Sequence, residues 1–367
     1  MQKLNLAVDG AFLGGQEAPL AAAEAQLRTP PPDVTEAEAE GVARTLYGIK
    51  GKASLLTGER DRNFLITARS GDANVLKFYN SAEDAPTRAL QHGVLEHMRT
   101  LGGDCLVPEI RLALDGRQEV MVAHGDALVA AVMISRLPGE NPGAADVTPG
   151  LRRSVGQVIG KLSRALSSYH HPSTDRAILW DMMHVAELRP LAAFIDDLEA
   201  RAAMTRWLDV FAAEIRPATR ALPYQTIHND LSLSNLMIDP ALRDTVTGVI
   251  DFGDIVRAPR INEFAVATSY FISQTADPTR QIGEILGGIG PDVALSPQEI
   301  GLMPELIKAR LATRILLSGW RAQLFPTNRT YILRSNQPAW AVWRQLQALD
   351  AKTMSKRLVS IYEGGLE

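Results

Sequence analysis

Cysteine is almost missing from this chain, with Cys105 standing alone among 367 residues. A single thiol excludes an intramolecular disulfide and any cysteine-rich metal site. Its setting, a Gly-Gly-Asp turn before an apolar stretch, predicts a partly buried small residue. Long apolar runs are lacking too, so no segment has the length needed to span a bilayer. The amino terminus is interrupted by Asn5 and Asp9 and makes a poor signal peptide, which leaves the cytoplasm as the expected compartment. Basic excess is also absent: Lys and Arg total 38 against 42 for Asp and Glu, a formal charge of -4. That balance excludes the electrostatic footprint of a general nucleic-acid binder. An apolar fraction of 46% and a charged fraction of 22% remain, which are globular values in a chain long enough for two domains.

The pattern along the chain changes twice. Residues 1–32 are rich in Ala, Gly and Glu and end in Pro30-Pro31-Pro32, which predicts a flexible leader outside the core. Thr35 and Glu38 have the spacing of a capping box, opening a helix that ends near Tyr47-Gly48. Three strands follow, over 54–57, 63–68 and 74–79, then a helix from Pro86 to Leu101 with Leu90, Val94, Leu95 and Met98 along one face, and strand pattern at 109–114 and 127–135. Leu137-Pro138-Gly139-Glu140-Asn141-Pro142-Gly143 breaks this pattern as a linker. Beyond it the chain turns mainly helical, apart from strands and loops over 224–255. The expected class is α+β and bilobal: an antiparallel-sheet lobe over 33–136 and a helical lobe over 137–367.

The chemistry concentrates in two short segments. Ile227-His228-Asn229-Asp230-Leu231-Ser232-Leu233-Ser234-Asn235 reads H-x-D-x-x-x-x-N, and Asp251-Phe252-Gly253 follows. A β-hairpin between them, with its turn over 240–245, would hold Asn235 and Asp251 at neighbouring strand ends. Two oxygen donors so placed can share one Mg2+ ion, and Asp230 can accept the proton of a hydroxyl as general base. Phosphoryl transfer works by such positioning and charge stabilisation, and the protein-kinase template contains this constellation. His228 is expected in the same catalytic loop as a brace. A lone Asp-Phe-Gly is ordinary turn chemistry. Four polar positions at fixed spacing, flanked by apolar strands, are more than that.

Lys77, in the apolar strand Val75-Leu76-Lys77-Phe78-Tyr79, matches a lysine that binds nucleotide phosphates. The turn carrying Gly58, Arg60 and Asn63 can close over the same phosphates, although it lacks G-x-G-x-x-G and suits an ordinary hairpin equally. Glu83 and Glu96 are the candidate acidic partners of Lys77. Trp180 and Asp181 lie between helical segments. Asp181 and Glu263 could hold a substrate ammonium, or Asp181 could simply cap a helix and Trp180 simply pack in the core.

On these residues the chain resembles the aminoglycoside phosphotransferase-like kinases, a group that includes hydroxylysine, homoserine and choline kinases. The likeness lies nearest the hydroxylysine-kinase type and rests on Leu46-Tyr47-Gly48, Glu59 to Phe64, Val75-Leu76-Lys77, Trp180-Asp181-Met182, the catalytic loop and Val249 to Asp254. It covers roughly residues 40–350. The resemblance implies a protein-kinase-like fold with ATP or GTP at a hinge near Ser135, Arg136 and Leu137. Two departures stand out. Arg88-Ala89-Leu90-Gln91 occupies the place expected for the acidic partner of the phosphate lysine, and Asn262-Glu263-Phe264 replaces an aspartate that often follows Asp-Phe-Gly.

Only a few residues separate Gly253 from the helix starting near Arg260, too few for the peptide-binding segment of a protein kinase. The leading expectation is a kinase acting on a hydroxyl of a small, amine-bearing metabolite of the hydroxylysine, homoserine or amino-alcohol type. Alternatives are a non-catalytic nucleotide-binding regulator and an aminoglycoside phosphotransferase. The expected partners are a nucleotide and a small acceptor, without nucleic acid or membrane, for a monomer or homodimer.

Overall fold

The computed structural model describes residues 12–13, 18–58, 60–102, 107–275, 277–291 and 293–364. Cys105 and Glu59 lie outside the described residues. The chain divides into two compact units, one formed by Ala25–Pro138 with Gly248–Ile250, the other by Gly139–Thr247 and Asp251–Glu367 with the chain up to Glu24.

The first unit is built on an antiparallel sheet of strands β1 (Gly51–Leu56), β2 (Arg62–Ala68), β3 (Ala73–Phe78), β4 (Ile110–Arg111), β5 (Glu119–His124) and β6 (Ala127–Ser135). Its order is β1-β2-β3-β6-β4, with β5 also paired to β6. The strand expected over 109–114 shrinks to two residues, and β5 was not foreseen. In β5, polar Glu119 and His124 flank a short apolar centre, which weakens the alternating signal. Phe64, Leu76, Phe78, Ala131 and Met133 alternate onto one sheet face and pack on Val42 and Tyr47 of the helix Glu36–Tyr47. Thr35 and Glu38 make both bonds of the expected capping box, and Gly48 ends that helix in the left-handed region. A second helix, Ala85–Leu101, buries Leu90, Val94, Leu95 and Met98, the stripe expected from sequence.

The second unit is mainly helical, which gives the chain the α+β class expected. Its longest helix, Pro297–Leu324, carries 28 residues and is buried on nearly every side. It packs against helices Ile261–Phe271, Asn336–Ala348 and Ala351–Gly364. Trp320 and Trp343 are core residues, and Trp340 is half-buried. The helix Pro149–Leu166 meets Pro278–Leu286 at unusually close range. A Cβ on Gly156 would stand 2.0 Å from the Ile285 carbonyl oxygen, so only glycine permits the approach.

The leader expectation needs correction. Ala18–Arg28 is a helix with Leu20, Ala23 and Leu27 buried. Glu24 accepts hydrogen bonds from the N–H groups of Phe12 and Leu13, and the Phe12 ring meets Trp320 edge-on at 4.9 Å. An Ala-rich composition suits a helix as well as a linker, and Leu20, Ala23 and Leu27 supply its apolar stripe. Among the described residues no helix is long and apolar enough to cross a membrane.

Candidate active site

Two small strand pairs converge on the catalytic segments. Strand β7 (Tyr224–Ile227) pairs antiparallel with β10 (Val256–Pro259), Ile227 facing Val256. The residues just after β7, His228 to Asp230, therefore lie beside those just before β10, Asp251 to Ile255. Strands β8 (Leu236–Ile238) and β9 (Val246–Val249) form the expected hairpin, closed by a bond from Asp239 N–H to the Thr245 carbonyl. That hairpin brings Asn235, at its start, alongside Asp251, beyond its end. Asn141 fastens the loop by donating to the carbonyls of Ser234 and Leu236.

Local backbone geometry singles out the same segments. Asn229 and Asp251 are the non-glycine residues with positive φ among those described, at 66° and 63°. Each such conformation costs about 1–3 kcal/mol and persists only where the surroundings enforce it. Here they do. Glu263 accepts from the N–H groups of His228 and Asn229, and Arg176 donates to the carbonyls of Gly253 and Ile255. His228 is fully buried; its Nδ1 accepts from Asp230 N–H, and its ring meets Phe252 edge-on at 4.7 Å. It braces the loop.

Asp230 sits at the centre, its side chain 24% exposed. Oδ2 accepts from the Asn235 amide at 2.7 Å, and that same NH2 group donates to the Asp230 carbonyl at 2.9 Å. Oδ1 accepts from Arg310 Nη2 at 2.7 Å and from the Tyr270 hydroxyl at 3.3 Å. Arg310 was not foreseen. It is buried in the long helix, donates also to the Trp180 carbonyl at 2.5 Å, and lies over both the Trp180 and Tyr270 rings. The available signal was Arg310 and Arg314 one helical turn apart in an otherwise apolar run, a pattern that puts two cations on one buried face.

Asn235 and Asp251 fit a hard divalent cation. The Asn235 NH2 is committed to Asp230, which leaves the amide oxygen as the group able to serve as a ligand. Asp251 is exposed, with Oδ1 accepting from Gly253 N–H. Among the described residues no group of three or more His, Cys, Asp or Glu could hold a metal alone. Two protein oxygens, completed by phosphate and water, is how Mg2+ is commonly held.

The two expected ammonium ligands are buried, Glu263 at 0% and Asp181 at 5% exposure, and each already accepts from backbone N–H groups. Asp181 caps the following turn by accepting from Met183 N–H at 3.0 Å. Burial raises its pKa. Glu263 lies under the loop; burial pushes its pKa up to about 7, against the lowering effect of the loop amides it accepts from. Trp180 is half-buried and contributes its carbonyl to Arg310.

In the sheet unit Lys77 forms an ion pair with Asp61 at 2.8 Å and reaches Gln91 at 3.5 Å. Asp61, which was not among the expected Glu96 and Glu83, is thus an acidic partner of Lys77. Glu96 instead pairs with Arg99 at the surface, and Glu83 accepts from Gln91. Arg88 is turned toward Glu119. The turn before β2 is tight: a Cβ on Gly58 would stand 3.0 Å from the Asp61 carbonyl oxygen. Asn63 faces Lys77 across the β2–β3 ladder, and the Arg60 carbonyl accepts from Asn80. Ser135 Oγ accepts from Glu109 N–H, and Leu137 is buried.

Residues 53–294, well over half of the chain, match the phosphotransferase enzyme family known as APH. The chain belongs to that family. This APH phosphotransferase is similar over 361 residues to a hydroxylysine kinase of Bos taurus, at 22% identity, covering 91% of this chain and 96% of that protein. It is 21% identical over 356 residues to a hydroxylysine kinase of Mus musculus, covering 89% and 92%. Among solved structures, an amicoumacin kinase in complex with AMP-PNP and Ca2+ superposes with a TM-score of 0.65 at 14% identity, covering 88% of this chain and 97% of that one. A microcompartment-associated aminopropanol kinase gives 0.62 at 18% identity, with 90% and 95% covered. The fold of this APH phosphotransferase is thus the protein-kinase-like one that the resemblance implied.

Proposed function

We propose that this phosphotransferase transfers the γ-phosphoryl group of ATP or GTP to a hydroxyl of a small, amine-bearing metabolite of the hydroxylysine, homoserine or amino-alcohol type. One observation carries the reading. Asp230 is fixed by Asn235 through one carboxylate oxygen, on the side of the metal-binding oxygens, and by Arg310 and Tyr270 through the other. A carboxylate held this way can orient an acceptor hydroxyl and take its proton as the oxygen attacks phosphorus. The names of the full-length relatives support the acceptor class.

Mg2+ bound by Asn235 and Asp251 would neutralise the charge of the transferred phosphates. His228, Glu263 and Arg176 keep the loop in its left-handed backbone conformation, so no reorganisation is needed at the moment of reaction. Lys77, with Gly58, Arg60 and Asn63, is assigned to the nucleotide phosphates, and Ser135 with Leu137 to the nucleotide base. Purified protein with Mg2+ and γ-labelled ATP or GTP, offered hydroxylated amines and amino acids, should label an acceptor. Nucleotide binding without transfer to any of them would identify a regulator instead.

A further inference from the structure

Asp181 and Glu263, the acids nearest to the role of ammonium ligands, are buried on Met183 N–H and on the loop amides. Asp230 Oδ1 instead accepts from Arg310 and Tyr270, and Arg314 stacks on the ring of that tyrosine.

Arg314 is the unusual member. It is 8% exposed, donates to the Ser269 carbonyl at 3.0 Å and stacks on the Tyr270 ring at 3.9 Å. No carboxylate among the described residues pairs with it. The other strongly buried arginine here, Arg310, has Asp230. A guanidinium withdrawn from water without a counter-anion is costly, and such groups are normally paired. The burial lowers the Arg314 pKa, an effect that Tyr270 and Asp230 offset only in part. An anionic ligand would supply what the protein does not.

We infer that the acceptor carries a carboxylate, bound at Arg314 beside Arg310, so that the substrate is a hydroxylated amino acid and not an amino alcohol or a polycationic aminoglycoside. This rests on the kinase reading above and narrows it. The anion is assigned to the acceptor and not to the nucleotide because of the two faces of Asp230. Asn235, with its metal-binding oxygen, occupies Oδ2, whereas the arginines stand on the Oδ1 side. Arginine suits a carboxylate through its planar, forked donors.

The test compares matched acceptors, a hydroxy-α-amino acid such as hydroxylysine or homoserine against its carboxamide and its decarboxylated amino alcohol. Both kcat/KM and the thermal shift given by each compound alone are measured. The wild-type protein should prefer the acid at least tenfold and be stabilised by the acid only. Arg314→Gln should bring the preference close to one, with Arg314→Lys retaining part of it. Equal turnover of acid and carboxamide overturns the inference while leaving the kinase reading intact. So does an Arg314→Gln variant that keeps the preference, or one whose KM rises for nucleotide and not for the acid. Absence of turnover with every compound counts against the kinase reading, and the thermal-shift comparison then still decides the inference.

Discussion

Arg310 Nη2 and Asp230 Oδ1 stand 2.7 Å apart, the arginine side chain 1% exposed and the aspartate 24%. The two ends of this ion pair are therefore unequal. Removing Arg310 leaves a carboxylate that water can still reach, whereas removing the charge of Asp230 strands a guanidinium deep in the helical unit. Breaking a buried pair from one side costs about 3–5 kcal/mol. Asp230→Asn should accordingly lower the unfolding free energy more than Arg310→Leu does. The double variant should recover about 1–3 kcal/mol of coupling. Urea denaturation of the four proteins measures the cycle; additive losses would show that the pair is not energetically coupled.

Glu263 gives the catalytic loop a pH dependence. Burial pushes its carboxyl from the ordinary 4.5 up to about 7 in the folded protein. A raised pKa means that its contribution is fully present below the unfolded value and is lost as pH rises from 4.5 through 7. The loss amounts to at most roughly 3 kcal/mol for a shift of this size. Glu263→Gln removes the titration and keeps an acceptor oxygen for the His228 amide. Thermal melts should therefore show the variant gaining on the wild type between pH 4.5 and 7.5. Parallel curves would mean that Glu263 is ionised throughout.

Lys77 and Asp61 should separate in kinetics. Loss of a charge-assisted phosphate contact is worth about 1.5–3 kcal/mol, so Lys77→Met should raise the nucleotide KM by roughly ten- to a hundredfold. Asp61→Asn leaves the cation in place without its partner and should have the smaller effect. A larger loss from Asp61→Asn would identify the aspartate as more than a counter-ion.

Gly156 and Gly160 lie one turn apart on the same helix and differ in what surrounds them. A methyl on Gly156 would meet the Ile285 carbonyl at 2.0 Å, whereas on Gly160 the nearest atom lies at 3.5 Å. Gly156→Ala should destabilise by about 1–3 kcal/mol through overpacking. Gly160→Ala should be neutral, or stabilise by up to about 1 kcal/mol through helix propensity. Melting temperatures of the two variants give the comparison directly.

Much of this could be read from residues alone where the signal was local. The capping box at Thr35 and Glu38, the stripe of Leu90, Val94, Leu95 and Met98, and the hairpin between Asn235 and Asp251 depend on neighbours in sequence, and each formed as expected. What escaped depends on distance along the chain. Asp61 meets Lys77 because β2 pairs with β3, and Arg310 meets Asp230 across 80 residues. The helix over Ala18–Arg28 was hidden because Ala, Glu and Leu suit a leader as well as an amphipathic turn. Glu263 looked like a ligand because an acid at a helix start is usually exposed; here it lies beneath the loop it holds.

The central claim is that Asp230 accepts the proton of the acceptor hydroxyl. Its most direct test is phosphoryl transfer by Asp230→Asn under saturating nucleotide and Mg2+, with nucleotide affinity measured on the same preparation. Asparagine preserves shape and leaves no base, so transfer should fall by about 10²–10⁴-fold with affinity unchanged. Transfer at the wild-type rate would contradict the account.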